Sequence, residues 1–325
     1  MMFASIFLSG VELLVIFRKC SALVIALVFL LSGACSVRQP AALPGVESTH
    51  ISALVTVDAL FELAGAVGGE RVDVVNVMPP GAEPHHFEPS ARDLALLNSA
   101  DMLFLCGLGL EPWAEGAVVA SGNDRLVVAD VSFGIEPIAL FEDGFGDRNG
   151  SGRVGHGELY DPHIWLSPVC AAAIAGSIRD AFTGVDPDGA EYYRSNCEAL
   201  VSRLDELYNE FSVKFGVLDN RAIVTGHAVF AYLCRDFGLV QNSIEGVFAE
   251  GEPSARELAE LVDFCRERGV TTILAESLAS PLVAEALAAE AGAVVRFIYT
   301  MESAEDGLSY LERMEHNLSV ILESL

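Results

Sequence analysis

The sequence predicts an α/β protein of two Rossmann-like lobes with parallel sheets, joined by a long rigid helix. Three observations predict it. Strand-like and helix-like segments alternate from His50 onward. The alternation lapses in one Gly- and Asp-rich stretch and then resumes. Between the two series, residues 188–216 carry a long charged helical pattern with no glycine inside its periodic part. Alternation of this kind is the rhythm of βαβ units, in which helices cover both faces of a parallel sheet.

In chain order, ISALVTV reads as a buried strand, and VDALFELAGAVGGE as an amphipathic helix that its glycines end. VDVVNVM is the next strand and leads into the rigid turn PPGAEPHHFEPS, residues 79–90. Ser90 to Asp93 resembles a capping box and opens the helix ARDLALLNSA. DMLFLCG and RLVVADV are strands, with the helix EPWAEGAVVASG between them. Residues 142–160, EDGFGDRNGSGRVGHGELY, lack an apolar period and read as a mobile surface loop. DPHIWLSP and the helix AAAIAGSIRDAF come before the long helix. In the second series RAIVTG, LVQNSIEG, TTILAE and AVVRFIY are strands. The helices HAVFAYLCRDF, ARELAELVDFCRERG, PLVAEALAAEAG and a last one to Leu325 alternate with them, and Ser254 to Glu257 forms a capping box. The expected domains are an N-terminal lobe at 48–184, a connecting helix at 185–217 and a C-terminal lobe at 218–325. In such folds a ligand binds in the crevice outside the carboxyl ends of the strands.

The N-terminus reads as an export signal over residues 1–34. Arg18 and Lys19 precede the apolar run SALVIALVFLLSGACS, which is too short to span a membrane comfortably. An earlier apolar run, FASIFLSGVELLVIF, is awkward in a single signal and points to a translation start further downstream. Leu-Ser-Gly-Ala before Cys35 resembles a relaxed lipobox, which makes Cys35 the expected lipidated first residue, followed by a linker at 36–47.

The chain has 19 basic and 46 acidic residues, a net charge of −27. Removing residues 1–34 takes away Arg18, Lys19 and Glu12, and leaves 17 against 45. Such a surface repels nucleic acid and anionic lipid and attracts cations. Cys106, Cys170, Cys197, Cys234 and Cys265 are scattered among apolar residues and read as buried thiols rather than a disulfide framework.

Of the seven histidines, the informative ones fall where strands give way to loops. His85 and His86 follow VDVVNVM, His163 lies in DPHIW, and His227 follows RAIVTG directly. Imidazole is the commonest metal ligand. One such histidine alone is ordinarily a hydrogen-bonded loop residue, whereas three at strand ends of facing lobes point to a metal site.

EPHHFEPSARDLALLNSADMLFLCGLGLEPW, DPHIWLSP, VTGHAVFAYLCRDFGL, GEPSARELAELVDFCRERGVTTILAE and IYTMESAEDGLSYLERMEHN appear in order. Over roughly residues 48–325 they resemble the ZnuA/TroA-like metal-binding receptors of bacterial zinc and manganese ABC importers. The resemblance implies metal ligands at His85, His163 and His227, with His86 a neighbour. For the fourth ligand it implies a carboxylate after the last strand. Met301 stands where some members have aspartate, so Glu302 is expected and Glu276 is the reserve. Three imidazoles and a carboxylate suit tetrahedral Zn²⁺, with Mn²⁺ as the alternative cargo. The loop 142–160 corresponds to a histidine-rich insertion of zinc receptors, but holds only His156 beside Glu142, Asp143 and Asp147.

The resemblance also implies a monomeric, extracytoplasmic, lipid-anchored receptor that docks to a membrane permease. The competing readings are a surface adhesin and a zinc hydrolase. The hydrolase would need an open position for water and a general base. No HExxH, nucleophile elbow or P-loop is present, so no enzyme is expected.

Overall fold

The computed structural model describes residues 50–140, 159–247, 253–276 and 281–325. The expectations for the signal, Cys35, the linker and His156 fall outside these residues.

The first lobe runs β1 (Ile51–Val55), α1 (Asp58–Gly68), β2 (Val72–Asn76), α2 (Ala91–Ser99), β3 (Met102–Leu105), α3 (Ala114–Ser121) and β4 (Val127–Asp130). Its strands form one parallel sheet in the order β2-β1-β3-β4. Next come β5 (Ala139–Leu140), β6 (Leu159–Tyr160), α4 (Pro168–Val185) and α5 (Ala190–Gly216). The second lobe runs β7 (Ala222–His227), α6 (Ala231–Phe237), β8 (Val240–Glu245), α7 (Ala255–Arg268), β9 (Thr272–Glu276), α8 (Pro281–Ala291), β10 (Val294–Ile298) and α9 (Tyr310–Ser324). Its parallel sheet has the order β10-β9-β7-β8.

The end of the expected loop 142–160 differs from the reading. Leu159 and Tyr160 pair antiparallel with Leu140 and Ala139. This two-residue ladder is too short for periodicity to reveal, because it rests on pairing with β5 rather than on a pattern of its own.

The central strands β1, β3, β7 and β9 divide their side chains between two cores, as the period of 2 requires. In the first lobe Ala53, Val55, Met102 and Phe104 enter a large central cluster, while Leu54 and Leu103 enter an outer one with Leu97 and Ala117. In the second lobe Ile223 and Leu274 join the same central cluster, while Val224, Ile273 and Ala275 pack outward against α7 and α8. The central cluster is therefore common to both sheets. Helix α5 runs through it with a buried stripe of Tyr193, Cys197, Leu200, Leu204, Leu207, Phe211 and Phe215, spaced by three or four residues. At 27 residues it is about 40 Å long. The buried cysteines carry no disulfide.

Further ties join the lobes near the strand ends. An α-helix leaves its first N–H groups without intrahelical partners. Here Asp58 and Ala59 of α1 donate theirs to the carbonyls of Glu302 and Met301, in the loop after β10. Trp165 Nε1 donates to Thr300 O at 2.8 Å, and Gly81 N donates to the Ser303 hydroxyl at 2.9 Å. Buried Met301 holds a left-handed φ of 59°, a conformation that costs a non-glycine residue about 1–2 kcal/mol. The four hydrogen bonds around it offset that cost and fix residues 300–303 to the first lobe.

Candidate metal centre

The tripeptides Glu83-Pro84-His85 and Asp161-Pro162-His163 build two corners of the site by the same local device. Proline has no N–H and biases the residue before it toward extended backbone. Glu83 is extended, at φ −80° and ψ 118°. In each tripeptide the acid then accepts the backbone N–H of the histidine, from His85 N to Glu83 Oε1 at 3.2 Å and from His163 N to Asp161 Oδ1 at 2.9 Å.

The two acids differ in reach. Asp161 Oδ1 also accepts from its own histidine's Nδ1, at 2.8 Å. That bond puts the proton on Nδ1 and leaves the lone pair on His163 Nε2, the arrangement typical of a ligating imidazole. Glu83, one methylene longer, brings Oε1 to 3.9 Å from His85 Nε2 instead.

His227 is the last residue of the central strand β7, all of which is buried. Its backbone N–H donates to Glu276 Oε1, at the end of β9, at 3.2 Å. Its Nε2–H donates to the Val247 carbonyl at 2.7 Å, which leaves the lone pair on Nδ1.

These elements bring His85, His163 and His227 together, each with a ring nitrogen within 4.8 Å of the others. His85 Nε2 and His163 Nε2 are 3.2 Å apart. Two zinc–nitrogen bonds at a tetrahedral angle separate their nitrogens by about 3.3 Å, so this spacing fits one shared ion. Glu302 lies outside that mutual group but beside it, with Oε1 at 3.8 Å from His163 Nε2. Its Oε2 accepts from the Thr300 hydroxyl at 3.0 Å, and Oε1 is buried with no hydrogen-bond partner. Glu276 Oε2 and Asp161 Oδ2 are likewise buried without partners. Buried carboxylate oxygens in this state are costly unless a cation or a proton compensates them. His86 is exposed and stands outside the cluster.

The electrostatics follow from burial. Desolvation, and secondarily the other rings, lowers His85 and His227 to about 3, and desolvation alone lowers His163 to about 3. All three are therefore neutral near pH 7 and offer lone pairs. Burial pushes Glu276 up to about 8 and Asp161 up to about 7. It raises Glu302 well above the carboxylate range, with added repulsion from Glu83. A bound cation would compensate these buried carboxylates.

Sequence reading singled out His85, His163, His227, Glu302 and Glu276. It missed Asp161 and Glu83 as partners of the histidines. The available signal was the repeated acid-Pro-His spacing.

Fold and site together define a two-lobed α/β receptor with a three-histidine group that could hold a metal ion where strand ends meet. The chain belongs to the ZnuA family, described as zinc-uptake complex component A periplasmic, which it matches over residues 54–324. This is a family of solute-binding receptors rather than enzymes. The chain is similar to a putative metal-binding protein of Treponema pallidum, at 39% identity over 305 residues, 94% of this chain and 96% of that one. It is 30% identical over 315 residues to the high-affinity zinc uptake system protein ZnuA of Bacillus subtilis, covering 95% and 98% of the two chains. Among solved structures it resembles the laminin-binding protein of Streptococcus agalactiae, described as bifunctional with adhesin and metal transporting activity. That match has a TM-score of 0.74 and 31% identity, over 84% of this chain and 99% of the other.

Proposed function

We propose that the protein captures Zn²⁺ outside the cytoplasm and hands it to a membrane ABC permease, with no catalytic activity of its own. The observation that carries this reading is the cluster of three neutral, largely buried imidazoles, His85 and His163 from loops of the first lobe and His227 from the end of β7 in the second. His85, His163 and His227 would supply nitrogen, and Glu302 would close the tetrahedron with oxygen. Three nitrogens and one carboxylate favour Zn²⁺, and the Irving–Williams order makes Mn²⁺ the weaker competitor at the same donors. Four protein ligands leave no position for an activated water, which favours holding the ion over hydrolysis.

Release by wide lobe opening would have to break the central core shared by both sheets, so the motion on binding is proposed to be small. Anchoring through a lipid on Cys35 and a monomeric state complete the reading. Among the described residues no helix is long and apolar enough to cross a membrane. The test is metal titration of chelator-stripped protein. One Zn²⁺ per chain is expected, with thermal stabilisation by mass action of about 2.7 kcal/mol at free zinc 100-fold above Kd. Absence of uptake, or tighter binding of Mn²⁺ than of Zn²⁺, overturns the reading.

A further inference from the structure

Around the cluster the side chains of His163 and Asp161 are sealed from solvent, and that of Glu302 is 2% exposed. Glu83 is different. Its side chain is 35% exposed, yet Oε1 lies 3.9 Å from Nε2 of His85, whose own side chain is only 4% exposed. Two zinc–ligand bonds of about 2.0–2.2 Å each just span that gap, so one ion can touch Glu83 and His85 with neither moving. The same His85 Nε2 is 3.2 Å from His163 Nε2 on the inner side. His85 is thus a vertex common to an outer pair, with Glu83, and an inner set, with His163.

We infer that Glu83 is a transfer ligand. With His85 it takes the hydrated ion at the mouth of the site and passes it inward, giving up its oxygen as His163, His227 and Glu302 bind. No bond is made or broken in the protein; carboxylate and water are exchanged for imidazole and carboxylate on the ion. The inference rests on the zinc reading of the three-histidine cluster. It goes further, because Glu83 is absent from the final set of four ligands and serves the path in and out. The hydrogen bond from His85 N holds Glu83 in place for this role, at 3.2 Å.

A group that lowers the barrier for passage does so in both directions. Glu83→Gln keeps an oxygen to accept the His85 N–H and removes the charge and the ligand strength. The expected result is that zinc uptake and zinc release both slow by about 10-fold, with Kd within about threefold of wild type. Uptake is followed in a stopped-flow instrument by the fluorescence of Trp165, whose ring lies 5.2 Å from that of His163. Release is followed into excess chelator. Glu88→Gln, which alters an exposed carboxylate on the same loop, should leave both rates unchanged.

Slower uptake with unchanged release would mean that Glu83 only steers the cation, and would overturn the inference. Faster release with a weakened Kd would make Glu83 a permanent ligand or a structural support, and would also overturn it. Equal rates in Glu83→Gln and wild type would remove Glu83 from the path altogether. Failure of the wild-type protein to take up zinc would instead sink the zinc reading itself, so the two failures are distinguishable.

Discussion

Asp58, the first residue of α1 in one lobe, bonds at 2.6 Å to Arg313 of α9 in the other. Their side chains are 8% and 1% exposed. Arg313 also donates to the Ser303 carbonyl at 3.0 Å, in the loop that carries Glu302. The pair therefore locks the lobes together and fixes the loop of the expected fourth ligand.

Breaking one side of such a pair leaves a buried charge uncompensated. Arg313→Met should cost about 3–5 kcal/mol of stability, measured by denaturant unfolding of the metal-free protein. The double variant Asp58→Asn/Arg313→Met should recover part of that loss. Additive losses would mean that the two residues are not coupled.

The adjacent histidines should behave unequally. His85→Ala removes a ring that lies against both His163 and His227, with centroids 5.1 and 6.0 Å away, and should weaken zinc by more than about 100-fold. His86→Ala should change the affinity by less than threefold, about 0.6 kcal/mol, as expected of an exposed side chain. Competition titration against a chelator of known strength measures both. A larger loss in the His86 variant would show that the ligand position had been assigned one residue too early.

Glu302→Gln should weaken zinc more than Glu276→Gln does. Each acid has one bonded oxygen and one without a hydrogen-bond partner, but the free oxygen of Glu302 lies 3.8 Å from His163 Nε2, while Glu276 holds the His227 backbone N–H with its bonded one. Loss of a supporting partner of that kind costs about 10-fold. The comparison requires both variants to be folded, checked by circular dichroism. Normal binding by Glu302→Gln with loss in Glu276→Gln would move the carboxylate ligand to Glu276.

The pH dependence of metal-free stability has a defined sign. Glu276 keeps its proton in the fold up to about 8, against 4.5 in the unfolded chain. The folded state then binds more protons across that window, and stability falls as pH rises through it. The three histidines act oppositely. They stay neutral in the fold down to about 3, against 6.5 unfolded, so their contribution falls as pH drops from 6.5. Between pH 4.5 and 6.5 the two effects oppose each other, and above 6.5 the carboxyls act alone. Metal-free protein should lose stability on raising pH from 6.5 to about 8. Zinc-loaded protein should lose less, because the ion's charge favours the deprotonated forms of the nearby carboxyls, Glu302 as a ligand and Glu276 as a neighbour. Denaturation midpoints across this range, with and without zinc, check both statements.

Much of this arrangement was legible in the chain. ISALVTV and RAIVTG announce β1 and β7 through continuous apolar runs, and the capping boxes at Ser90 and Ser254 mark where α2 and α7 begin. His85, His163 and His227 stand out because each follows a strand, and the resemblance to a receptor family linked them. The resemblance also put Glu302 ahead of Glu276 as the fourth ligand, but residue order alone cannot say which carboxylate reaches the histidines. The short β5–β6 ladder was hidden because two residues have no period to read.

The sequence by itself determined which segments are strand or helix and which residue types stand at the strand ends. Periodicity and capping are local, so a few neighbouring residues suffice to express them. The tertiary structure alone decided that both sheets share one core around α5 and that Asp58 meets Arg313 across 255 positions. It also decided how the repeated acid-Pro-His spacing divides its work, with Asp161 sealed against His163 Nδ1 and Glu83 half open beside His85 Nε2. Desolvation, tautomer and donor spacing depend on every group that packs around a site, and those groups come from remote parts of the chain.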